Sequence, residues 1–86
     1  MAAAVTRSLF SPAYGRLRDW LIAGRQYRNL TQVQLADKLG RPQSFVSKYE
    51  RGERRLDIVE LLEIADLLHA DACELINELR RPSAAR

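Results

Sequence analysis

The chain has 86 residues, 47% of them hydrophobic and 29% charged, with a formal net charge of +3. That length holds one domain with a modest core and little surplus stability, so a partner subunit would help it. A single cysteine, Cys73, excludes an internal disulfide framework and a CxxC metal site. No apolar run approaches a membrane span, so a soluble protein of a reducing cytoplasm is expected.

Residues 1–10 are small, polar or uncommitted, and a flexible segment is expected there. Ser11 before Pro12 starts a first helix whose apolar stripe runs through Leu17, Leu21 and Ile22. It ends near Arg28, where Asn29 can take the left-handed conformation. Gly24 inside this helix costs roughly 1 kcal/mol against Ala, and close packing against another helix is the plain reason to keep it. Trp20 and Tyr27 are expected as core or packing residues.

Thr31 with Gln34 forms the pattern of a capping box, flanked by Leu30 and Leu35 as a hydrophobic staple. Leu35, Ala36 and Leu39 give a buried face, and Gly40 stands where a left-handed residue stops the helix. A helix of about two and a half turns cannot stand alone. Pro42 cannot continue it but suits the first turn of a new helix from about Gln43 to Arg51, with Val46 and Tyr49 inward and Gly52 as terminator. The outer side of this second helix carries small and hydrogen-bonding side chains, as a helix laid in a DNA major groove requires.

Asp57 with Glu60, and Leu56 with Leu61, repeat the cap and the staple. They open a helix to about His69 with Val59, Leu62, Ala65 and Leu68 as core contacts. Asp71 with Glu74 repeats the cap for a last helix, Ala72 to about Arg80, closed by Pro82 and followed by a flexible tail at 82–86. An all-α, compact five-helix domain over 11–81 is expected, with a helix-turn-helix at about 31–51 and no strand.

Charge divides the chain. Residues 14–55 carry ten Arg and Lys against four Asp and Glu, whereas residues 56–86 carry three against seven. The basic half holds the two short helices, which suits a polyanionic partner and a salt-sensitive affinity.

Leu30-Thr31-Gln32, Leu35-Ala36, Leu39-Gly40, Gln43-Ser44, Val46-Ser47 and Tyr49-Glu50-Arg51-Gly52 together resemble the helix-turn-helix of the lambda-repressor-like (Cro/Xre type) regulators. The resemblance extends from about Tyr14 to Leu79. It implies a DNA-binding fold whose second short helix reads bases.

If Gln43 begins the recognition helix, then Gln43, Ser44, Ser47 and Lys48 lie on its outer, N-terminal surface and are the candidates for base readout. The resemblance supports Gln43, Ser44 and Lys48 most directly, while Ser47 suits a packing role as well as a contact. Phe45 can meet a thymine methyl or pack internally, with packing slightly favoured. Arg41, Arg51, Arg54 and Arg55 flank the helix as candidate phosphate partners, and Arg54 and Arg55 could instead reach a narrow minor groove. For any one of these arginines the plain alternative is a solvated side chain. The resemblance further implies that Gln32 clamps the DNA backbone and that Arg25 and Glu50 form an architectural ion pair.

His69 is the only histidine and has no sequence-local partner for nucleophilic chemistry. No phosphate-cradling glycine loop or metal-ligand spacing occurs. No catalytic residue, cofactor, metal or small-molecule substrate is expected, and Cys73 is read as a small core or interface residue. The resulting expectation is a transcriptional regulator, a repressor, on a two-fold double-stranded DNA operator at the nucleoid of a prokaryotic or phage-infected cytoplasm. A homodimer is expected through Leu75, Ile76 and Leu79 of the last helix, some of which must close the monomer core. Assembly through helix-terminal loops only on DNA is the alternative. Two other functions stay open: an antitoxin that also binds a toxin protein, and a protein-interaction adaptor that binds no DNA.

Overall fold

The computed structural model describes residues 11–81, which form five helices and no strand: α1 (Pro12–Tyr27), α2 (Gln32–Leu39), α3 (Gln43–Glu50), α4 (Ile58–Leu67) and α5 (Ala72–Arg80). The flexible segments expected at 1–10 and 82–86 lie outside the described residues.

Short-range side-chain caps start four of the five helices. The Ser11 hydroxyl accepts from the Tyr14 N–H, and Thr31 and Asp57 form full capping boxes with Gln34 and Glu60. Asp71 caps α5 through the Cys73 N–H at 2.8 Å, and the reciprocal bond expected from Glu74 is not made. α3 begins at Pro42 without a side-chain cap.

Four helices stop in the same way. Asn29, Gly40, Gly52 and His69 all have left-handed φ, between 54° and 80°. The N–H of the next residue then reaches back to the fifth carbonyl before it: Leu30 to Arg25, Arg41 to Ala36, Glu53 to Lys48 and Ala70 to Ala65. This paired closure satisfies carbonyls that a helix end leaves open, and it bends the chain sharply enough to fold α2 back against α3. α5 stops at Arg81 in extended backbone (φ −65°, ψ 145°), the region that a following proline favours.

The core joins all five helices. Tyr14, Leu17 and Leu21 of α1 meet Leu35 and Ala36 of α2, and Val46 and Tyr49 of α3. Leu61, Ile64 and Leu68 at α4 and Leu75 of α5 close the set. Gly24 faces Leu68, where an added Cβ would come within 3.3 Å of the Leu68 Cδ1, so its place in α1 reflects close packing.

Three expectations are corrected here. Val59 and Leu62 are 61% and 43% exposed, whereas Ala65 and Leu68 are buried as expected and Leu61 and Ile64 join them. The apolar run at the start of α4 allows either rotation, and in the one adopted Leu61 and Ile64 turn inward while Glu60 pairs with Arg54. Tyr27 is 82% exposed at the end of α1, off the Leu17–Leu21–Gly24 stripe. Cys73 is exposed, because α5 buries Leu75 two positions away, on the other side of the helix. Of the three residues assigned to a dimer interface, Leu75 is fully buried and Leu79 packs against the core, as was expected of some of them, and Ile76 stands on the surface.

Candidate nucleic-acid interface

Two carboxylates organise the surface around α3. The first, Glu50, ends α3 with a side chain only 5% exposed. It accepts from Arg25 Nε at 2.7 Å and from a second guanidinium nitrogen at 3.0 Å, while a third Arg25 nitrogen donates to the Leu30 carbonyl at 2.8 Å. The expected Arg25–Glu50 pair is therefore a two-pronged clamp from α1 onto α3, with the α1–α2 turn tied to the same guanidinium.

Glu50 also accepts from Gln32 Nε2 at 2.9 Å, and Gln32 Oε1 in turn accepts from Gln43 Nε2 at 3.2 Å. The order of these bonds fixes how each amide faces. A carboxylate can only accept, so Gln32 must turn its NH2 to Glu50 and its oxygen to Gln43. Gln43 then gives one N–H to Gln32 and keeps its carbonyl oxygen and second N–H uncommitted. Gln32 is thus joined to Gln43, a residue expected to read bases, as well as placed in the first turn of α2, where phosphate contact was expected.

Gln43, Ser44 and Lys48 are exposed, and Ser47 is half-buried with its hydroxyl donating to the Ser44 carbonyl at 3.4 Å. Ser47 spends its donor within its own helix. Phe45 is buried, meets Tyr49 edge to face at 5.5 Å, and lies between the guanidinium groups of Arg41 and Arg54, 4.5 and 4.8 Å from its centre. Packing is the role the structure gives it.

The second carboxylate, Glu60 in the first turn of α4, holds those arginines. It accepts two hydrogen bonds from Arg54 at 2.9 Å and lies 3.7 Å from Arg41, which also reaches Glu63 at 3.6 Å. The paired Arg54 bonds, then the Asp57 N–H, hold the Glu60 carboxyl at about 2, well below its ordinary value. Arg51 makes a two-pronged exposed pair with Glu53 at 3.0 Å, which lowers the Glu53 carboxyl. Arg55 lies 5.7 Å from the centre of the Tyr14 ring. Arg41, Arg51 and Arg54 are thus partly neutralised within the chain.

Other ties had no local signature in the sequence. Arg18 donates to the Glu50 carbonyl at 2.8 Å and lies against Gly52, where an added Cβ would meet its guanidinium carbon at 3.3 Å. The Tyr14 hydroxyl accepts from the Leu56 N–H at 3.2 Å and donates to the Arg54 carbonyl at 3.4 Å, pinning the α3–α4 loop to α1. Arg28 Nε caps the Leu68 carbonyl at 2.8 Å. The Tyr49 hydroxyl is buried without a hydrogen-bond partner, and burial raises its proton affinity.

The comparisons agree with this geometry. A family model described as helix-turn-helix matches residues 21–75. Among solved structures, the chain is similar to an XRE-family like protein from Pseudomonas syringae pv. tomato str. DC3000. The TM-score is 0.77 and the identity 40%, with 87% of this chain and 92% of that one covered. No curated protein matches the chain. Among the described residues, no helix is long and apolar enough to cross a membrane.

Proposed function

The chain belongs to the XRE, lambda-repressor-like family of helix-turn-helix DNA-binding regulators, and from that premise we propose that it is a sequence-specific repressor acting as a homodimer on a two-fold operator. The observation that carries the sequence-specific part is the hydrogen-bonded line Arg25–Glu50–Gln32–Gln43. It ends in an amide with one free acceptor and one free donor. Adenine offers the complementary pair in the major groove, an N6 donor beside the N7 acceptor. Because the line is anchored on a buried ion pair, Gln43 is held for that contact before DNA arrives, and less side-chain freedom is lost on binding.

Ser44 and Lys48 read neighbouring positions, with Lys48 suited to guanine O6 and N7; Ser47 contributes shape. Gln32 keeps its second amide N–H for a phosphate oxygen. Arg41, Arg51, Arg54 and Arg55 add sequence-independent attraction, which Glu60 reduces at Arg41 and Arg54 and Glu53 reduces at Arg51. One helix of eight residues reads only a few base pairs. Pairing two copies on half-sites ~34 Å apart multiplies the discrimination. Repression follows from occupancy, since a protein seated on a promoter excludes polymerase without further contacts.

The test is selection of bound duplexes from a random library at near-physiological salt. An enriched inverted repeat containing adenine at a position that Gln43→Ala no longer distinguishes supports the reading. Binding that enriches no sequence and vanishes as salt rises refutes it and turns attention to a protein partner.

A further inference from the structure

Arg41 and Arg54 stand at opposite ends of α3: Arg41 precedes the helix by one proline, and Arg54 follows Glu50 by four residues. Their guanidinium groups nevertheless meet over one ring, 4.5 and 4.8 Å from the centre of Phe45, and both reach the Glu60 carboxylate of α4. Like charges this close repel unless they share an anion. Glu60 is that anion, so one carboxylate sets where both side chains lie.

A carboxylate paired two-pronged with a guanidinium occupies the place that a phosphate would take. Arg51 and Arg54 are both paired in this way, and the pairs differ in how firmly they hold. The Arg51–Glu53 pair is open to water, with side chains 57% and 53% exposed, and such pairs are weak. In the Arg54–Glu60 pair the carboxylate side chain is only 11% exposed. Arg54 donates two hydrogen bonds to Glu60 and one to the Arg55 carbonyl, all at 2.9 Å. A phosphate that takes Arg54 must break these, lift a cation from the Phe45 ring and leave a nearly enclosed carboxylate with Arg41 at 3.7 Å. One that takes Arg51 breaks an exposed pair alone.

We infer that Glu60 is a positioning residue that keeps Arg54, and with it Arg41, on Phe45 when the chain sits on DNA, so that the phosphates beside α3 are met by other side chains. The inference rests on the DNA-binding part of the reading above and goes beyond it: the attraction of Arg41 and Arg54 is reduced because neither guanidinium leaves its carboxylate for a phosphate. Arg41 is held from a second side as well, by Glu63 at 3.6 Å. The chain therefore engages fewer phosphates than its basic half offers, and its affinity depends less steeply on salt.

The test is a double-mutant cycle read in salt dependence, with the full chain on a long mixed-sequence duplex, so that it needs no operator. Each arginine that meets a phosphate adds about 0.9 to the slope of log affinity against log salt. Glu60→Gln still accepts from the Asp57 N–H, as a glutamine in a capping box does, and it frees Arg54. In that background Arg54→Gln should lower the slope by about 0.9, whereas in the parent it should lower it by less than half as much. Glu60→Gln itself should steepen the slope by about 1–2, so that a fourfold fall in salt strengthens its binding about three- to twelvefold more than the parent's. A merely structural role for Glu60 moves melting points and leaves the slopes alone. Equal effects of Arg54→Gln in the two backgrounds overturn the inference. If Glu60→Gln does not fold, the parent background decides: a loss of about 0.9 on Arg54→Gln overturns the inference, and a loss under half of that supports it. If the parent binds no duplex at any salt, the DNA-binding reading has failed; binding gained by Glu60→Gln then upholds the hold on the arginines, and no gain overturns it.

Discussion

Arg25→Ala removes three hydrogen bonds at once: two to Glu50 and one to the Leu30 carbonyl. Both partners of the ion pair are nearly enclosed, with side chains 12% and 5% exposed. Removing one member of such a pair costs about 3–5 kcal/mol, because the other is left buried and short of partners. At ~0.05–0.15 kcal/mol per residue, the whole domain holds only about 4–10 kcal/mol, so the change removes a large part of its stability. In a domain of this size each kcal/mol moves the melting point by about 4–8 °C, and a fall of at least 12 °C is expected in a thermal melt followed by far-UV circular dichroism.

Replacing both partners, Arg25→Met with Glu50→Leu, should recover most of that loss, since an apolar pair of similar volume carries no desolvation penalty. The double variant nevertheless takes from Gln32 its acceptor and from Gln43 its anchor. It should fold well and discriminate the adenine position less sharply, by about 1–3 kcal/mol, in competition binding. A melting point for Arg25→Ala within about 2 °C of the parent refutes the architectural argument. A double variant that reads the operator as sharply as the parent refutes the positioning argument.

Three further outcomes follow from the same geometry. The folded Glu60 carboxyl is held at about 2, below its ordinary 4.5. Its stabilisation is therefore complete above the ordinary value and is lost as pH falls from there toward 2, so urea midpoints of Glu60→Gln should decline less over that range than those of the parent. Equal slopes would show that the Arg54–Glu60 pair contributes nothing to acid sensitivity. Tyr49→Phe removes a buried hydroxyl that has no partner and should leave stability unchanged or raise it by up to about 1 kcal/mol in urea denaturation; a loss of that size would reveal a bond to the hydroxyl. His69→Gly relieves a left-handed φ of 54° in a residue with a Cβ, and should stabilise by about 1 kcal/mol, read as a higher melting point; a lower one would mean that the imidazole makes a contact worth more than the strain.

The helix ends were legible because their chemistry spans only a few residues. Thr31 and Gln34, or Asp57 and Glu60, are close enough in the chain to announce a cap, and Asn29, Gly40 and Gly52 are residue types that tolerate the left-handed turn. His69 is not such a type, and it takes that conformation because Ala65, Asp66 and Ala70 close the turn around it. The first turns of α4 were misread for a related reason, although Ala65 and Leu68 were placed correctly. Ile58, Val59, Leu61 and Leu62 offer two apolar faces, and the choice between them rests on packing partners distant in the chain.

The reading surface divides along the same line between local and distant causes. Helical phase alone places Gln43, Ser44 and Lys48 on the outside of α3, but the state of each polar group depends on carboxylates far away in sequence. Glu50 is 18 residues from Gln32 and 25 from Arg25, so nothing local tells that the Gln43 amide, proposed to read bases, is anchored to a buried ion pair. Net charge counted Arg41, Arg51 and Arg54 as equal candidates for phosphate, yet Glu60 and Glu53 draw on that charge before DNA arrives. A phosphate must therefore compete with a carboxylate for these arginines, while Gln43 has no competitor for its free oxygen and second N–H. On the proposed assignment, the arrangement weakens sequence-independent attraction relative to base contact, and so favours specificity over affinity.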